Sequence, residues 1–84
     1  MKNKYNVQII VPALYKKYDV FIPINLTIAE IIILLEKGLK ELTKDSFILE
    51  RNLKLYDTYD GKEYVLSDYV YKTTIKNGSI LILC

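Results

Sequence analysis

With 84 residues, 51% of them hydrophobic and 26% charged, the chain has the length and composition of one globular domain, spanning 1–84, and no room for a second. His is absent and Cys occurs once, which excludes a Cys/His metal site, an internal disulfide framework and any histidine-dependent catalysis. The net charge of +2 comes from 12 basic residues, Arg51 the single Arg among them, against 10 acidic ones, a balance that suits solubility and argues against a nucleic-acid reader.

In Tyr5–Val11, Tyr5, Val7, Ile9 and Val11 alternate with Asn6 and Gln8. That period of two predicts a half-buried strand, which Pro12 ends because it has no N–H to donate. A short polar connection follows. Tyr18, Val20 and Ile22 then alternate with Asp19 and Phe21 in a second strand closed by Pro23, and the two strands predict an antiparallel hairpin.

Thr27-Ile28-Ala29-Glu30 is a capping box, and it decides that the apolar run Ile31–Leu35 opens a helix and not a buried strand. Ile28, Ile31, Ile32, Leu35, Leu39 and Leu42 fall on one arc of that helix and form its predicted core face. Gly38, at the edge of the arc, predicts a close approach to the sheet. Thr43-Lys44-Asp45-Ser46 is turn chemistry. Phe47, Leu49, Leu53 and Leu55 alternate in an extended middle strand, and Asp60-Gly61 is a hairpin signal. Tyr64-Val65-Leu66 predicts a short extended piece and Ser67-Asp68-Tyr69 a turn. Asn77-Gly78 turns the chain into a last strand over Ser79–Cys84.

No segment has the pattern of a targeting signal, and the longest apolar run is far below the ~20 residues of a membrane span. The expectation is a cytoplasmic protein that does not itself span a membrane.

This order of elements at this length resembles the ubiquitin β-grasp: an α+β fold in which a mixed sheet of four or five strands wraps one helix, and the resemblance implies that the first and last strands pair in parallel. Leu66-Ser67-Asp68-Tyr69 is similar to the segment of ubiquitin whose short turn buries a Leu and a Tyr. Tyr18-Asp19-Val20-Phe21-Ile22-Pro23, then Leu26-Thr27-Ile28, and the ending Ile75-Lys76-Asn77-Gly78-Ser79-Ile80-Leu81-Ile82-Leu83 resemble the YukD/EsaB ubiquitin-like proteins of type VII secretion loci. Val70–Thr74 is longer than the turn of that family. The resemblance implies an accessory component of a type VII (ESX-like) secretion system whose protein partner belongs to the membrane machinery. Ubiquitin and the sulfur carriers present a flexible Gly-Gly terminus for adenylation, whereas this sequence reads Leu81-Ile82-Leu83-Cys84. The expectation is therefore the fold without conjugation, and no enzymatic activity or cofactor. The alternative is a small modifier or sulfur-carrier-like protein activated at its C-terminus.

Without an active site, function falls to surfaces. If Leu81 and Leu83 face the helix, Ile80 and Ile82 face away, joined by Lys54 and Tyr56 of the middle strand and by Gln8 and Ile10 of the first. An apolar centre with Tyr and a Lys rim has the composition of an interface. The competing expectation is that Tyr69–Thr74 folds over this face. Ile33 and Leu34, on the charged arc of the helix, form a second candidate contact. The tyrosines crowding the C-terminal half are expected to be half-buried strand residues with wet hydroxyls, because Asp57, Asp60, Glu63 and Asp68 lie among them and exclude a basic stacking groove. Cys84 reads as a small apolar residue ending a strand. The protein is expected to be a monomer or a weak dimer paired through its terminal strand.

Overall fold

The computed structural model describes residues 3–44 and 52–84. Strand β1 (Lys4–Val11) runs antiparallel to β2 (Lys16–Pro23), from Lys4 opposite Pro23 to Val11 opposite Lys16. Pro12 ends β1 as expected and opens a single 3₁₀ turn, Pro12–Leu14. Tyr15 then reverses the chain with φ 53°, so β2 starts two residues before the apolar alternation does.

Helix α1 (Ile28–Leu42) begins with the capping box. The Glu30 N–H donates to Thr27 Oγ1 at 3.3 Å, and the Thr27 N–H donates to Glu30 Oε1 at 3.0 Å. Two further first-turn donors are satisfied from a distant loop: Ile28 N–H donates to the Asp68 carbonyl at 2.9 Å and Ala29 N–H to that of Leu66 at 3.0 Å. Ile28, Ile31, Ile32 and Leu39 are buried, as the helical arc requires. Leu42 departs from that arc and is 68% exposed. It borders an open groove between α1 and β2, not the core. Gly38 lines the same groove, and a Cβ built there meets nothing within 4 Å, so the expected close approach to the sheet is absent. Thr43 caps the helix end, its hydroxyl donating to the Leu39 carbonyl at 2.8 Å.

Asp45, Ser46, Phe47 and Leu49 lie outside the described residues. Strand β3 (Leu55–Asp57) pairs antiparallel with β4 (Ile80–Leu83), and β4 pairs in parallel with β1. The sheet order is β2-β1-β4-β3. The first and last strands therefore pair in parallel, as the resemblance implies, and β4 is interior, which leaves it no free edge for the expected pairing with a second copy; β3 is at an edge among the described residues. Parallel pairing needs a long crossover, and β4 enters beside β1 only after the chain has crossed over the helix. Asp60-Gly61 makes the expected turn, with Gly61 at φ 73° and its N–H donating to the Asp57 carbonyl at 2.9 Å. Beyond it a single bridge joins Tyr56 to Glu63, so Tyr64 and Val65 do not become a fifth strand, and Leu66 already belongs to the following turn.

The Leu66–Tyr69 segment turns as expected, but Leu66 and Tyr69 remain 45% and 43% exposed. Val70 is buried in their place. The cause lies in the backbone: Val70 N–H donates to the Leu26 carbonyl and Tyr71 N–H to that of Ile24, which rolls Val70 inward under the start of α1. The core is one cluster between α1 and the inner sheet face, where Val7, Ile9, Val11, Leu55, Leu81 and Leu83 are buried. This is the ubiquitin-like β-grasp, one helix on a mixed four-stranded sheet.

Candidate interaction face

The strand pairings set the geometry of the outer face. Along β1, Val7, Ile9 and Val11 point to the core, so Gln8 and Ile10 point away. In β4, Leu81 and Leu83 point in and Ile80 and Ile82 out. Parallel pairing sets Gln8 beside Ile80 and Ile10 beside Ile82, and Tyr56 lies across from Ile82 on the other side. A row therefore crosses the sheet as Tyr56, Ile82, Ile10 and Lys17. A second row reads Ile80, Gln8 and Asp19. Lys54 closes one corner, its backbone exchanging hydrogen bonds with Cys84 at 2.9 and 3.1 Å, and its ammonium lies 3.7 Å from the Glu63 carboxylate.

The structure thus brings six of the sequence-predicted residues together: Gln8, Ile10, Lys54, Tyr56, Ile80 and Ile82. All six retain solvent exposure, and Ile80 is 40% exposed. The buried core lies on the opposite face of the sheet, so this half-buried apolar row is not part of it. The Tyr69–Thr74 segment does not cover it. Tyr69 bridges to Thr27, and Tyr71 bonds to the connection between β2 and α1, away from the outer face.

Ile33 and Leu34 belong elsewhere. They are 63% and 48% exposed on α1, which packs on the inner face of the sheet, so they do not extend the patch. Leu34 lines the groove between α1 and β2.

Beside Tyr56 and Ile82 is a shallow hollow of about 290 Å³ walled also by Asp57, Thr58, Gly61 and Cys84. Sequence reasoning did not find Thr58, whose hydroxyl donates to the Ile80 carbonyl at 2.7 Å and pins the edge of the hollow. The Asp60-Gly61 turn was the available signal, since it folds the chain back toward Tyr56. Cys84 is an exposed free thiol at this rim. The tyrosines also depart from expectation. Among those of the C-terminal half only Tyr56 is in a strand, Tyr59 is 95% exposed, and Tyr69 and Tyr71 stack at 5.6 Å on the surface.

Partial burial pushes the Tyr64 phenol above its ordinary value. The hydrogen bond to Thr74 Oγ1 at 3.1 Å acts in the opposite sense, and the nearby Asp57 carboxylate adds to the rise. Among the described residues no cluster of His, Cys, Asp and Glu could hold a metal ion, and no helix is long and apolar enough to cross a membrane.

No protein-family profile matches the sequence, and no curated protein sequence is significantly similar to it. Solved structures are similar in fold. An N-terminal ubiquitin-like domain superposes with a TM-score of 0.75 at 18% identity, over 98% of this chain and 74% of that one. The ubiquitin-like domain of the Mycobacterium tuberculosis type VII secretion protein EccD1 gives 0.73 at 16% identity, over 95% and 96%. A chain of the MycP5-free ESX-5 inner membrane complex gives 0.71 at 12% identity, over 98% of this chain and 21% of that much longer one.

Proposed function

We propose that this domain is a non-catalytic docking module of a bacterial type VII secretion system, of the YukD/EsaB kind, acting in the cytoplasm without being conjugated to targets. The observation that carries the reading is the half-buried apolar row Tyr56–Ile82–Ile10, with exposed Ile80 beside it, on the outer face of a sheet whose core lies on the other side. A solvent-accessible apolar row with a polar rim fits a protein partner. Fold similarity to EccD1 and to an ESX-5 inner-membrane-complex chain supports the choice of partner: a cytoplasmic region of the secretion membrane machinery. Fold alone does not fix function, so the reading rests on the face and its residues.

The test is binding of the purified domain to the soluble region of a membrane component from the same secretion system. Ile82→Asp and Tyr56→Ala each abolish binding while circular dichroism shows an unchanged fold. Undiminished binding by both variants sinks the proposal. Intact-mass analysis of protein recovered from the cell checks the absence of conjugation: an adduct on Cys84 or its carboxylate would favour a carrier.

A further inference from the structure

Strand β2 ends the sheet, and among the described residues nothing pairs with its far side. The bonding pattern shows which of its groups are free. Gln8 N–H donates to the Ser79 carbonyl at 2.9 Å, and the Asn6 carbonyl accepts from Gly78 N–H at 2.8 Å, so the even-numbered residues of β1 turn their backbone groups toward β4. Their partners across the hairpin, Phe21, Asp19 and Lys17, accordingly turn N–H and C=O outward. Eight residues of open edge invite pairing, and natural proteins usually blunt such an edge with charge. Here the charges are arranged in opposite signs, Lys17 and Asp19, two residues apart on one face.

We propose that β2 pairs antiparallel with β2 of a second copy, about a two-fold axis through Tyr18. In that register Lys17 stands opposite Asp19 of the second copy, and Asp19 opposite its Lys17, both as hydrogen-bonded pairs. Opposite charges directly across a strand pair are stabilising. Exposed Tyr15 comes level with exposed Phe21 of the second copy, 96% and 55% exposed in the single chain. The neighbouring registers are poorer. Centring on Asp19 sets two carboxylates face to face. Centring on Val20 sets Lys17 against Pro23, which has no N–H to give. The interface is isologous, so one patch serves both copies.

The axis is perpendicular to the sheet and keeps both helices on the same side. The apolar grooves between β2 and α1, about 210 Å³ each and lined by Tyr18, Val20, Leu34 and Leu42, then meet across the axis. The outer faces are also presented side by side on one continuous sheet, which makes docking through them bivalent.

Sedimentation of the full chain at low ionic strength tests the pairing. The wild type forms a dimer as concentration rises. Lys17→Asp and Asp19→Lys, each on an exposed side chain that the fold does not need, weaken it by roughly tenfold or more, because each turns two attractions into repulsions. The double variant Lys17→Asp with Asp19→Lys restores it. Ile82→Asp, which disables the proposed docking face, leaves it intact. A wild type that stays monomeric at millimolar concentration overturns the proposal, including where an extended peptide of another protein is found to pair with this edge. A dimer indifferent to both single reversals overturns it as well.

Discussion

Tyr56 and Ile82 stand directly opposite each other on β3 and β4, and Ile82 has Ile10 as its other neighbour across the sheet. Ile82 is therefore the hub of the outer apolar row, flanked on both sides by side chains that share its face. A charge at this position breaks the row at its centre. Binding to the proposed partner falls by at least about 2 kcal/mol for Ile82→Asp, the scale of an interface hot spot, and titration calorimetry reads the loss. Asp19→Asn, on the polar margin of the same face, changes affinity far less.

The capping box satisfies backbone groups at the start of α1. Thr27→Ala removes the acceptor for the Glu30 N–H and costs about 1 kcal/mol, which in a domain of this size lowers Tm by roughly 4–8 °C. Thr27→Ser keeps the acceptor and loses little. Thermal melts of the two variants check the difference.

Gly38 sits inside α1 with open space where a Cβ would be. Glycine in a helix interior costs roughly 0.5–1 kcal/mol relative to alanine. Gly38→Ala therefore raises stability by about that amount, and chemical denaturation should show a higher midpoint at unchanged slope. A destabilised variant would mean that the groove beside α1 is filled.

Val70 and Tyr69 are adjacent and have opposite surroundings, Val70 buried and Tyr69 exposed in a stack with Tyr71. Val70→Ala deletes two buried methyl groups and costs about 2 kcal/mol with the cavity it leaves. Tyr69→Ala costs no more than about 1 kcal/mol, the value of an aromatic pair. Equal losses in denaturant titrations would contradict the inward roll of Val70.

Tyr64 is held above its ordinary pKa, chiefly by burial. The folded state thus disfavours the phenolate relative to the unfolded chain. The contribution is fully present below the unfolded value near 10 and is lost as pH rises through the higher folded value. Stability should decline in that alkaline window, and Tyr64→Phe should decline less. Unfolding titrations across that range, with phenolate absorbance as the marker, check the sign.

The sequence by itself determined the local elements. Alternation in β1 and β2, the Thr27–Glu30 box and the two Gly turns are interactions between residues close along the chain, so their patterns are readable without knowing the fold. It also determined which residues of each strand share a face, because the side-chain period of two does not depend on what pairs with what. That is why the outer row was legible before its neighbours were known. The parallel pairing of β1 with β4 joins residues some seventy positions apart, so the resemblance implied it where no local pattern could; only the tertiary structure decided the full sheet order, which among the described residues makes β4 interior and β2 an open edge. It likewise decided that Val70 and not Tyr69 is buried, and that Leu34 and Leu42 border a groove. The burial of Val70 depends on backbone hydrogen bonds from Val70 and Tyr71 to the approach of α1, and the groove on how α1 sits against β2; no local pattern records either.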